Sequence, residues 1–83
     1  MYIELSYSDK VVGLKQSTRA IKDGRAVCAY LADDCDQQMK IQFTALCSQH
    51  RIEVKKGCTM AQLGQACKID RGAAVVVIVA ETH

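Results

Sequence analysis

Two uninterrupted apolar runs, residues 26–32 and 73–80, restrict the possible folds of this chain more than any other feature. A strand with one solvated face alternates polar and apolar residues, whereas a run that is apolar at every position belongs to a strand covered on both faces. Helices must then flank a sheet on both sides. The second run contains Val75-Val76-Val77-Ile78-Val79, β-branched throughout and suited to a pleated surface. With 83 residues the chain buries roughly 60% of its unfolded surface, enough for one such core without a separate catalytic module. Neither run approaches the ~18 to 20 residues of a membrane span, and no basic segment followed by an apolar core opens the sequence. The expectation is a soluble, cytoplasmic protein with no membrane partner.

The segments around these runs supply the other elements. Residues 2–8 read as a short first helix, with a strand nearly as good a fit. Val11 and Val12 form a short strand that feeds a helix through Gly13, and this helix ends at Asp23 with Gly24 just beyond. After the first apolar run, Asp33-Asp34-Cys35-Asp36 offers an N-cap carboxylate to a helix reaching about His50, with Met39, Phe43, Leu46 and Cys47 on its apolar face. Arg51-Ile52-Glu53-Val54-Lys55 alternates as a half-buried strand should. It pairs parallel with the first run through a right-handed crossover. Lys56, Gly57 and Cys58 then read as a loop. Thr59-x-x-Gln62 is a capping box opening a last helix that buries Met60, Leu63 and Cys67. The predicted architecture is a single domain over residues 1–83 of the α/β class: a three-layer α/β/α sandwich around a small mixed sheet of about four strands.

The chemistry concentrates in the helix after Gly13. Lys15, Arg19 and Lys22 fall at i, i+4 and i+7 on one face beside Gln16, while Ser17, Ala20 and Ile21 point the other way. Net charge is only +2, yet residues 10–22 carry Lys10, Lys15, Arg19 and Lys22 with no acid, so a local basic face can hold a polyanion. On spacing alone, an ordinary solvated face is the commoner reading. Asp33, Asp34 and Asp36, lying between a strand and a helix, read as capping groups rather than a metal site. The five cysteines are odd in number and contain no C-x-x-C pair, which speaks against a disulfide framework. Cys28, Cys47 and Cys67 fall on apolar periodicities as small buried hydrophobes. With His50 and His83 they match no zinc spacing, and no motif gives any thiol a catalytic partner, so neither metal, cofactor nor enzymatic activity is expected. Cys58, beside Lys55 and Lys56, is the one thiol with activating neighbours, or else an incidental loop residue at a binding surface.

Three ordered blocks resemble the kink-turn-binding ribosomal proteins of the L7Ae type, in particular their short bacterial members. They are Val12-Gly13-x-Lys15-Gln16-x-x-Arg19-Ala20-Ile21-Lys22, then Ala32-x-Asp34-Cys35-Asp36, then Leu63-Gly64-Gln65-Ala66-Cys67 with Ala73-Ala74-Val75-Val76. The likeness spans nearly the whole chain. It implies the same three-layer fold and binding to a kink-turn, an RNA duplex bent sharply at a bulge beside tandem sheared G·A pairs. By that resemblance Gly13 permits close backbone approach, Lys15, Gln16 and Arg19 meet the G·A bases and nearby phosphates with Lys22 on the same face, and Lys56, Gly57, Cys58, Thr59 and Met60 pack on the extruded bulge nucleotide. Arg offers a planar donor fork to guanine, and Gln both donates and accepts at a base edge.

The chain departs from the family pattern at definite positions. Lys15 stands for Asn, Gln16 for Glu, Cys35 for Ala, Gln37 for Pro, and Lys68 for a Gly at a helix end that then needs either a left-handed Lys or a different cap. The Gly57-Cys58 segment is less apolar than a Val-Pro loop. The implied protein is a monomeric, ribosomal-protein-like binder of structured RNA, ribosomal or regulatory, with other ribonucleoprotein components as partners and no DNA. The rival readings are a protein-interaction or assembly subunit with a vestigial RNA face, and a small thiol or metal enzyme centred on Cys58.

Overall fold

The two apolar runs become the two inner strands of a four-stranded sheet. A computed structural model describes residues 9–79; the first element read over residues 2–8 and the last residue of the second run lie outside them. The strands are β1 (Lys10–Val12), β2 (Ala26–Ala32), β3 (Glu53–Cys58) and β4 (Val75–Val79), in the order β1-β4-β2-β3. Between them lie α1 (Leu14–Lys22), α2 (Gln37–Gln49) and α3 (Met60–Ala66).

The period-2 alternation of side chains across a strand divides the inner strands between two cores. Ala29 and Leu31 of β2 and Val75, Val77 and Val79 of β4 pack with Ala20 and Ile21 of α1 and Phe43 and Cys47 of α2. Cys28, Tyr30, Ala32, Val76 and Ile78 on the opposite face pack with Leu63 and Cys67 at α3. Two helices on one face and one on the other make the three-layer sandwich that the apolar runs demand. Val27 is the exception, 59% exposed at an irregularity in the β2–β4 register between Ala26 and Cys28.

Strand direction decides where the helices begin. β1 and β2 both run antiparallel to β4, and β3 runs parallel to β2. β1, β2 and β3 therefore point the same way, and α1, α2 and α3 all leave from one end of the sheet. β4 starts at that end.

The helix ends follow from local chemistry. Met39 N–H donates to the Asp36 carboxylate at 3.2 Å, so α2 is capped without a proline at Gln37. At α3, Gln62 N–H donates to Thr59 Oγ1 at 3.1 Å and Thr59 N–H to Gln62 Oε1 at 2.9 Å, the reciprocal capping box. All three helices close with paired bonds of the Schellman type. In α1, Arg25 N–H reaches Ala20 O and Gly24 N–H reaches Ile21 O. In α2 the pairs are Ile52 to Cys47 and Arg51 to Ser48, and in α3 they are Ile69 to Gly64 and Lys68 to Gln65. The motif needs a left-handed residue, and Gly24 supplies it at φ 76°, but Arg51 (φ 59°) and Lys68 (φ 60°) must adopt it with a Cβ. Arg51 is thus part of the turn, and β3 starts two residues later than its alternation predicts.

Candidate nucleic-acid interface

Gly13 has φ 101° and ψ 153°, a region essentially restricted to glycine. A Cβ there would meet nothing within 4 Å. The backbone angle, not crowding inside the protein, therefore requires glycine, and the space outside it is open to a partner. Its N–H donates to Val75 O at 3.1 Å, and its carbonyl accepts Ser17 N–H at 2.9 Å to start α1. No side chain caps this helix. Its first turn keeps N–H groups and the positive end of the macrodipole for an outside acceptor.

Helical spacing then sorts α1 as its sequence predicts. Ser17, Ala20 and Ile21 are buried, and Lys15, Gln16, Arg19 and Lys22 are exposed. With Thr18 and Asp23 they line a shallow depression of about 340 Å³. Asp23, its one acid, lies 3.9 Å from Arg25 Nε. Among the described residues, no acid reaches ion-pair distance of Lys15, Arg19 or Lys22.

The second segment differs from its sequence reading. Lys56 to Cys58 is strand rather than loop: β3 runs through Cys58, which pairs with Ala32 across a register shift between Tyr30 and Ala32. Gly57, at φ 93°, sits at that irregularity and absorbs the extra residue. The Cys58 side chain turns inward, is 1% exposed, and its Sγ donates to Leu31 O at 3.9 Å. It cannot offer its thiol to a nucleotide, and it is neither a surface loop residue nor an accessible nucleophile. Lys56, Gly57 and Thr59 remain exposed, and Met60 is half-buried.

The aspartates also divide differently. Only Asp36 caps α2. Asp33 Oδ1 accepts Gly57 N–H at 3.2 Å, and Asp34 Oδ1 accepts Met60 N–H at 2.8 Å. Asp33 N–H in turn donates to Cys58 O at 2.7 Å. Two carboxylates from the β2 end thereby fix the backbone of a segment 24 and 26 residues further along the chain.

The start of β4 joins the parts. Val75 O holds Gly13, Ala74 O accepts Ala32 N–H at 2.8 Å, and Ala73 N–H donates to Met60 O at 3.0 Å. Three consecutive residues thus tie the entry to α1, the end of β2 and the entry to α3 together. Gly64 lets α3 approach this connection: a Cβ on it would overlap the Arg71 carbonyl oxygen. The glycine serves packing against the 71–72 backbone rather than against the sheet. Exposed Arg71, a cation that sequence reasoning did not single out, thus has its backbone against Gly64 and lines a depression with Ala61, Gln62, Gln65 and Asp70. Its only signal was a basic residue before Gly72 in the turn leading to β4.

Three of the thiols favour their neutral form. Burial pushes Cys47 up to about 11 and raises Cys67 and Cys35 above the ordinary thiol range. Among the described residues no group of three His, Cys, Asp or Glu side chains could hold a metal ion, and no helix is long and apolar enough to cross a membrane.

This end of an α/β/α sandwich carries the basic helix face and the braced strand end side by side. The chain belongs to the ribosomal protein L7Ae/L30e/S12e/Gadd45 family, whose sequence model matches residues 5–83. It is 41% identical over 68 residues to the RNA-binding protein YbxF of Geobacillus stearothermophilus, covering 82% of this chain and 83% of that one. The RNA-binding protein GK0100 of Geobacillus kaustophilus has the same identity and coverage. These relatives are named for RNA binding, not for a reaction. Small ribosomal subunit protein eS12 of Hordeum vulgare is 33% identical over 64 residues, covering 72% of this chain and 45% of its own. Among solved structures, a Bacillus halodurans protein of unknown function superposes with a TM-score of 0.88 at 19% identity, covering 95% of this chain and 83% of that one. The Giardia lamblia 15.5kD RNA binding protein superposes with a TM-score of 0.83 at 16% identity, covering 96% of this chain and 68% of that one. At such identities these structures share the fold.

Proposed function

We propose that this chain is a non-catalytic RNA-binding protein of the cytoplasm that recognises and stabilises kink-turn RNA as a monomer. The observation that carries the reading is the tie made by Ala73, Ala74 and Val75, which holds the entry to α1 and the entry to α3 at one end of the sheet. A bent duplex presents G·A pairs and an extruded nucleotide close together, and a partner must meet both at once. Lys15, Gln16 and Arg19 supply donors to base edges and phosphates, with Lys22 behind them on the same face. Lys56, Gly57, Thr59 and Met60 meet the bulge, and Cys58 contributes only its backbone.

The protein acts by differential affinity. Bound to the bent conformation more tightly than to the extended one, it shifts the RNA toward the bend without any covalent step. Lys15 and Gln16, in place of Asn and Glu, replace an amide and a carboxylate with a cation and an amide. That exchange strengthens the phosphate component relative to base reading. The test is a titration of a labelled kink-turn duplex against one whose G·A pairs are replaced by Watson–Crick pairs. Preference for the kink-turn is expected, and equal affinity overturns the reading.

A further inference from the structure

The solvent side of α2 has an unusual composition. Across Gln37–Gln49 the only charge is Lys40, whereas the outer face of a surface helix is ordinarily rich in charges of both signs. Gln37, Lys40, Ile41, Thr44, Ala45 and Ser48 recur at i, i+3, i+4, i+7, i+8 and i+11, a single stripe along the helix, away from the buried Phe43 and Cys47. This stripe and Lys56 of β3 line a groove of about 530 Å³. Ile41, 61% exposed, is the large apolar residue on its surface.

Two properties of the groove identify its occupant. Its lining contains two lysines, an amide and two hydroxyls but no carboxylate, so it offers hydrogen-bond donors and positive charge around a small apolar floor of Ile41 and Ala45. A single-stranded nucleic acid requires donors for phosphates and 2′-hydroxyls and an apolar surface under a base or ribose. The groove is also continuous with the interface already described, because Lys56 belongs to both.

We propose that the outer stripe of α2, with Lys56, is a track for an unpaired RNA tract continuing from the bulge side of the kink-turn. This rests on the kink-turn reading and extends it beyond the bend. The unpaired tract leaves the α3 entry, passes Lys56, and runs along α2 with Lys40 and the hydroxyls of Thr44 and Ser48 on its backbone.

The test uses two labelled kink-turn RNAs, one blunt beyond the bulge strand and one extended there by a short unpaired tail, titrated with the full chain. The tailed RNA should bind about fivefold more tightly at low salt. Lys40→Gln and Ile41→Asp, both at solvent-facing positions, should each remove most of that gain and leave the blunt RNA within about twofold of the parent. A tail that adds nothing, or variants that weaken both RNAs equally, would overturn the track. A tail gain that survives both variants would also overturn it, because the tail would then bind elsewhere on the chain. Failure of the kink-turn reading is seen separately, as equal binding of the blunt RNA and its Watson–Crick control.

Discussion

The two halves of the proposed grip are built in opposite ways. In α1 the backbone is an ordinary helix, and the information lies in side chains that project from it: Lys15, Gln16, Arg19 and Lys22, exposed and without an acidic partner among the described residues. From Lys56 to Met60 the side chains matter less. Cys58 points into the core, and the segment's shape is set by the left-handed Gly57 and by carboxylates of Asp33 and Asp34 on its N–H groups. Substitutions in the first half should therefore change what is bound without changing how well the protein folds. Substitutions in the second should change both together.

The largest effect belongs to the first half. Arg19→Ala should cost on the order of 1 to 3 kcal/mol of binding if the guanidinium forks onto a base, with an unchanged melting curve because the residue is solvent-exposed. A matching loss of stability would break the distinction between the halves, and a loss confined to the salt-sensitive part of binding would make Arg19 a phosphate contact.

Gly57→Ala comes next. A Cβ at φ 93° should cost about 1 to 2 kcal/mol of folding stability in a denaturant titration and weaken RNA binding in parallel. Removing a brace should do the same on a smaller scale. Asp34→Ala withdraws the acceptor at 2.8 Å from Met60 N–H and should cost about 1 kcal/mol, with a modest loss of affinity that Asp34→Asn largely restores. The smallest effect is a control from outside both halves. Arg51→Gly relieves the left-handed turn after α2 and should stabilise the protein by about 0.5 to 1 kcal/mol while leaving RNA affinity unchanged. Affinity that rose with stability in this variant would mean the second half acts through global stability rather than local shape.

The same contrast separates what was legible in the sequence from what was not. The α1 face is a matter of i, i+4 and i+7 spacing, a local rule, and its exposed and buried sets follow that spacing in the folded protein. The two inner strands were equally plain, because an apolar run of strand length with no polar position fits little besides a strand covered on both faces. The second half rests on relations that no local pattern carries. Asp33 and Asp34 read as caps for the helix immediately following, since their acceptance of Gly57 and Met60 N–H groups depends on the parallel pairing of β2 with β3. The strand through Cys58 was hidden because Lys55, Lys56 and Gly57 break the polar–apolar alternation, and the irregularity that restores it lies in the register with β2. Arg71 was overlooked for a related reason. Its place against α3 follows from the close approach of its backbone to Gly64, a tertiary fact. At Lys68 the sequence left a left-handed lysine and a different cap both open, and the fold takes the left-handed lysine at φ 60°.

The central claim is that one RNA meets both halves at once, and amide chemical-shift mapping during titration with kink-turn RNA tests it most directly. Perturbations should grow together at Gly13 to Lys22 and at Lys56 to Met60, with Asp33 and Asp34 moving alongside the second group and residues 50–52 at the far end of the sheet unmoved. Perturbations confined to α1, or spread evenly over every exposed lysine and arginine, would contradict it.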